Sequence, residues 1–125
     1  MDLTLDRPGD YLFVRRVDER RITVVDRELA RSFLLAPDRV IEDWPVTSAQ
    51  ALDAPHVEDI LALQPELVLL GTGARQQFPA AAFLAGFLRR GVGIEVMDNA
   101  AAARTYGLLA GEGRRVVAAF ILPAD

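Results

Sequence analysis

The sequence predicts a single layered α/β domain over residues 1–125, on three observations. Its first third carries short runs rich in aromatic and β-branched residues, "YLFVRRV" and "RITVV", at strand length. After Pro45 the apolar residues change to helical spacing, interrupted by fully apolar runs, which gives the order strand, helix, strand, helix, strand. Hydrophobic residues make up 51% of the chain, so a protein of this length buries a core without the staples that smaller domains need.

Each element has a local cause. "YLFVRRV" and "RITVV" are separated by the polar "DER" and are expected to pair as a hairpin. "RSFLLA" and "RVIEDW" are two further strand candidates around Pro37 and Asp38, a pair suited to a turn, although "RELARSFLL" could instead form a helical turn. Pro45 ends the region, because it cannot donate to a ladder and pushes Trp44 toward extended geometry. Asp53 then caps a helix expected over 55–64, with Pro55 in its first turn and Val57, Ile60 and Leu61 on one face, before Pro65 stops it. "ELVLL" reads as a central strand covered on both faces. Pro79 opens a second helix with Phe83, Leu84, Phe87 and Leu88 as its apolar stripe, closed by Arg89, Arg90 and a left-handed Gly91. "IEVM" is the next strand, Asp98 or Asn99 caps a third helix to about Leu109, and "RVVAAFIL" is the last strand. No internal repeat, linker or low-complexity tract divides the chain.

Composition excludes several classes of function. With 14 Lys+Arg against 18 Asp+Glu the net charge is −4, which opposes the phosphate attraction behind most nucleic-acid binding. The absence of cysteine removes disulfides, thiolate nucleophiles and cysteine metal sites, and fits a reducing, cytoplasmic location. "MDLTLDRPGD" lacks the basic start and apolar run of a secretory signal, and no apolar stretch approaches the roughly 20 residues of a membrane-spanning helix, so no membrane insertion is expected.

The residues able to carry chemistry are few. Gly71, Thr72 and Gly73 fall at the carboxyl end of a buried strand, where open α/β sheets bind ligands, and glycine lets a ligand or backbone approach closely. Yet "GTGARQ" lacks the third glycine of a dinucleotide fingerprint and the Lys-Ser/Thr of a phosphate loop, so a tight exit turn is the better local reading. Glu95, Asp98 and Asn99 lie along and just beyond the next strand and would line one crevice with the glycines if the two strands are neighbours. Helix capping already explains Asp98 or Asn99, while Glu95 either points to a different layer or is a buried acid, with Arg104 as its first candidate partner.

Arg104, Thr105 and Tyr106 fan around about 200° of helix surface and cannot all face one pocket. The bland reading packs Tyr106 in the core and pairs Arg104 with a carboxylate; the sharper one gives Arg104 an anionic ligand or partner. His56 is the only histidine and has no companion ligand, Ser32 and Ser48 have no base, and Trp44 is by default a core residue. No catalytic residue, metal ligand or cofactor is assigned.

The segments "EDWPV", "LLGTGARQQFP" and "GIEVMDNAAAARTYGLLAGEGRRVVAAF" together resemble a small-domain family. It is the family that includes mitochondrial complex I assembly factor 3 and many uncharacterised bacterial proteins. The resemblance runs from about residue 11 to residue 122 and rests on Gly71, Thr72 and Gly73, on Glu95 and Met97, on Arg104, Thr105 and Tyr106, and on Glu112 and Arg114. It implies a three-layer β/β/α-type fold with a mixed central sheet, helices on one side and further β structure on the other, and a final strand antiparallel to its neighbours. Many relatives carry asparagine where this chain has Gly107, a weak helix residue that could loosen the third helix or admit close packing.

The function the resemblance implies is assembly or interaction with another protein, without catalysis, in the service of a respiratory or other membrane complex. A small-ligand binder or enzyme using the crevice at Gly71, Thr72 and Gly73 is the second expectation, and self-association is left open.

Overall fold

The structure is a computed structural model and describes residues 10–124, so all but the last residue of the amino-terminal segment read above for a signal lies outside the described residues. The chain runs β1 (Val14–Val17), β2 (Ile22–Val24), β3 (Arg27–Leu29), β4 (Phe33–Ala36), β5 (Arg39–Ile41), α1 (Ala54–Leu61), β6 (Leu67–Gly71), α2 (Ala81–Leu88), β7 (Gly93–Met97), α3 (Asn99–Gly111) and β8 (Val116–Phe120), with a 3₁₀ turn at Ala49–Ala51. β1, β2 and β3 form a small antiparallel sheet, and the other strands form a mixed sheet in the order β5-β4-β8-β6-β7.

Both predicted hairpins are present, β1 with β2 and β4 with β5, while β3 is an additional short strand and the alternative helical turn across "RELARSFLL" does not form. β6 is interior, parallel to β7 and β8. The middle position belongs to β8, which is parallel to β6 and antiparallel to β4. The expectation that the last strand opposes all its neighbours is therefore corrected: β8 follows a helical crossover, which returns the chain in the same direction, and opposes only the hairpin strand β4.

Strand alternation sorts the core into two halves. Val68, Leu70, Val117, Ala119, Leu34 and Ala36 face α1 and α2, where Val57, Ile60, Phe83 and Phe87 cover them. Leu69, Ala118, Phe120, Phe33 and Leu35 face the small sheet and α3, meeting Ile22, Val24, Ala102, Tyr106 and Ala110. The layers predicted from the resemblance exist, except that α3 lies on the β side. The reason is topological: β6 to β7 steps one way along the sheet and β7 to β8 steps back, so crossovers of the same hand place α2 and α3 on opposite faces.

Caps set the helix starts. Asp53 and His56 form a capping box at α1, in which His56 Nδ1 accepts the Asp53 N–H at 2.9 Å, so the only histidine ends as a cap. At α3 the cap is Asp98, whose carboxylate accepts the Ala101 N–H at 2.8 Å, and Asn99 is left free for another task. Gly91 has the predicted left-handed conformation, φ 73°. Trp44 is buried, with its indole N–H on Asp59 at 3.2 Å and its ring edge-on to His56.

Candidate functional site

Because β6 and β7 are parallel neighbours whose following helices leave to opposite faces, their carboxyl ends form the kind of topological switch point where α/β sheets take ligands. Gly71, Thr72, Gly73, Asp98 and Asn99 meet there. The crevice is filled from within. Asn99 is 3% exposed; its backbone N–H donates to Gly73 O at 2.8 Å, its Oδ1 accepts the Gly73 N–H at 3.2 Å, and its Nδ2 donates to Ile121 O at 3.0 Å. One side chain thus ties the exits of β6 and β8 to the start of α3.

Each residue of "GTG" has its own reason. A methyl group on Gly71 would stand 2.4 Å from Asn99 Oδ1, and Gly73 has φ 97°, a conformation side chains disfavour. Thr72 donates its backbone N–H to Met97 O at 3.0 Å; its hydroxyl donates to Arg75 O at 2.6 Å and accepts the Gln77 N–H at 2.9 Å. Gln76 then reaches back to Val96 O at 2.8 Å. Through these bonds the loop closes on itself and on β7.

The other candidates stand apart. Glu95 is exposed on the edge strand β7, in register with Leu69 and hence on the α3 side, and it makes no ion pair among the described residues. Arg104 is exposed on α3 and likewise makes no ion pair among the described residues, so of the two alternatives for Glu95 the buried pair with Arg104 does not form: an edge strand leaves its acid in water, where it needs no partner. Thr105 is half-buried beside it. Tyr106 points the opposite way, fully buried, with its hydroxyl donating to Leu12 O at 2.6 Å and its ring edge-on to Tyr11. Burial, reinforced by Tyr11 and Asp38 and opposed by Arg115, holds its phenol well above the usual tyrosine range. Arg114 pairs with Glu66 at 3.5 Å across the entrance to β6. Gly107 has no atom within 4 Å of where a side chain would begin, so no close packing requires it, and α3 runs through it unbroken.

What remains open near the glycines is a shallow cleft of about 370 Å³ between Gly73, Ala74 and Asp98 on one side and Val17, Asp18 and Glu19 of the β1–β2 turn on the other. A neighbouring hollow of about 330 Å³ shares Glu19, Gly73 and Ala74 and adds Arg20 and Ser48. The hairpin side of this cleft was invisible to local sequence reading, because its residues sit about fifty positions away and carry no motif. No group of acids or histidine able to hold a metal occurs among the described residues, and no described helix is long and apolar enough to cross a membrane.

Comparison with known proteins agrees with this architecture. A solved structure from Xanthomonas campestris is 49% identical and superposes with a TM-score of 0.83, covering 94% of this chain and 90% of that one. A Francisella tularensis protein named "13 kDa major membrane protein" is 30% identical over 90 residues, 71% of this chain and 73% of its own. The human NADH dehydrogenase [ubiquinone] 1 alpha subcomplex assembly factor 3 is 34% identical over 91 residues, which are 71% of this chain; the match spans about half, 49%, of the human protein. Residues 14–121 match a family model described as a protein of unknown function, DUF498/DUF598, and the chain belongs to that family.

Proposed function

We propose that this chain is a protein-interaction domain of assembly-factor type, acting in the cytoplasm without turning over a substrate and serving a respiratory or other membrane complex. The observation that carries the reading is the closure of the switch point by Asn99: the polar residues gathered where a ligand would bind are spent on one another. The relative named as an assembly factor supports the same direction. The contact surface we assign is the outer side of α3 and β7, where Arg104, Glu95 and the 69% exposed Leu108 are presented without partners of their own.

Affinity purification from the native host tests this. The chain contains no lysine, so crosslinks are made through a photoreactive group placed at Leu108 rather than by amine chemistry. A specific protein crosslinked to Leu108 in the native chain, and lost from an Arg104→Ala chain that melts normally, is the expected result. Turnover of a substrate that survives repurification and disappears in a cleft variant would overturn it.

The second reading, a small-molecule binder or enzyme, is favoured by the cleft between the β1–β2 turn and Gly73. A small molecule that copurifies in native mass spectrometry and is lost on Glu19→Ala would support it over the first.

A further inference from the structure

We infer that the outer side of α2 is a docking ridge for an anionic lipid surface. The eight residues of α2, "AAFLAGFL", are all apolar or glycine, and Phe78 and Pro79 precede them. A helix apolar on every side belongs inside a protein. This one is covered on one side only: Phe83, Gly86 and Phe87 are buried and Leu84 is half-buried against the same core, whereas Ala81, Ala82 and Leu88 are exposed. Leu88 is 64% exposed, and Phe78, in the loop three residues ahead of the helix, is 63% exposed.

Charge indicates the occupant. Arg75 ahead of Phe78 and Arg89 just after Leu88 are exposed and make no ion pair among the described residues, while Arg90 is already held by Glu58 at 2.8 Å. The helix thus carries an exposed arginine without an ion pair on either flank, Arg89 sharing a hollow with Asp53 and Glu58, in a chain whose net charge is −4.

A second copy fits poorly. Antiparallel packing of two α2 helices would set Arg89 against the partner's Arg75, and parallel packing about a two-fold axis would set Arg89 against its own copy. At helical rise α2 is only about 12 Å long, too short to supply by itself the roughly 800 Å² per partner of a standard protein interface. A fluid bilayer surface conforms to a small ridge, receives Phe and Leu at the acyl boundary and neutralises flanking arginines with its head groups.

This inference stands apart from the proposed function: α2 and the Arg104 surface are different elements, and either can fail alone. The test is cosedimentation of the whole chain with phosphatidylcholine vesicles and with vesicles of phosphatidylcholine and phosphatidylglycerol in equal parts, at low and high salt. Binding to the anionic vesicles at least about tenfold tighter than to the neutral ones, and weakened by salt, is expected. Leu88→Asp should lose most of that binding, and Arg75→Glu with Arg89→Glu should remove its preference for anionic vesicles, all three with melting unchanged because the residues are exposed. Equal binding to both vesicles, no binding at low salt, or a native dimer that Leu88→Asp dissociates would each overturn the assignment. So would a protein partner that needs Leu88 when vesicles do not bind.

Discussion

The carboxyl ends of β6 and β7 and the outer side of α2 lie on consecutive pieces of chain, yet they use their residues in opposite ways. At the strand ends the polar groups turn inward and bond one another, so the chemistry conspicuous in the sequence is consumed by structure. Along α2 part of the apolar surface, Leu88 foremost, is left facing outward although its residues look like core. A polar motif at a switch point is evidence for a site only when some of its hydrogen-bonding capacity is left over.

The largest effect that bears on this contrast is expected in the strand that feeds the closed corner. Leu69 is 0% exposed between α3 and the small sheet, and Leu69→Ala should cost about 2–5 kcal/mol, because the lost packing adds to the lost transfer energy. Urea titration reads it directly; a change under about 1 kcal/mol would mean that the two core halves are much looser than their burial implies.

The corner itself should respond as a unit. Gly71→Ala drives a methyl group into Asn99 Oδ1 and should cost about 1–3 kcal/mol. Asn99→Ala leaves the Gly73 N–H and the Ile121 carbonyl without their side-chain partner, for a similar cost of about 1–3 kcal/mol. Since removing Asn99 also removes the obstacle to the methyl group, the double variant should lose clearly less than the sum. Strict additivity would show that Asn99 is not what Gly71 accommodates, and the switch point would be open again as a ligand site.

Much of the fold was legible because its signals are local. The apolar run of β6, Pro65 and Pro79 as boundaries, the Asp53 cap and the left-handed Gly91 each follow from a few adjacent residues. The face chosen by α3 was not, since it depends on which neighbour β8 selects, a pairing between residues 67–71 and 116–120 that no window contains. The same holds for the site. "GTG" announced a turn, but the side chain that fills it arrives from residue 99, and capping rules assigned Asp98 and Asn99 the same task because both residue types suit it. Glu19 and the outward side of α2 escaped notice for the converse reason: their meaning depends on what does not cover them.

A smaller effect separates Tyr106 from its exposed neighbours on α3. Tyr106→Phe loses the bond to Leu12 O and should cost about 1 kcal/mol at neutral pH. Burial raises the folded-state pKa of this phenol, so the stability linked to it is fully present below the ordinary tyrosine value of 10.0 and is lost as pH climbs beyond it toward the folded-state value. Urea titrations at neutral pH and above about pH 10 should show a steeper alkaline fall for the native chain than for Tyr106→Phe. Identical slopes would place Tyr106 in contact with water.

The smallest effect is the most informative about function. Arg104 and Glu95 are exposed and unpaired among the described residues, so Arg104→Ala and Glu95→Ala should each change stability by no more than about 0.5 kcal/mol, and the double variant should be their simple sum. If Arg104 meets an anionic group on the partner, its removal should nevertheless weaken capture by roughly 1.5–3 kcal/mol, the range of a hydrogen bond to a charged group. The combination matters, because a residue that serves the fold shifts melting and capture together, whereas one that serves a contact shifts capture alone. Intact capture by an Arg104→Ala chain of normal stability would move the contact surface away from α3, and coupled losses in stability between Arg104 and Glu95 would restore the structural pair that their exposure argues against.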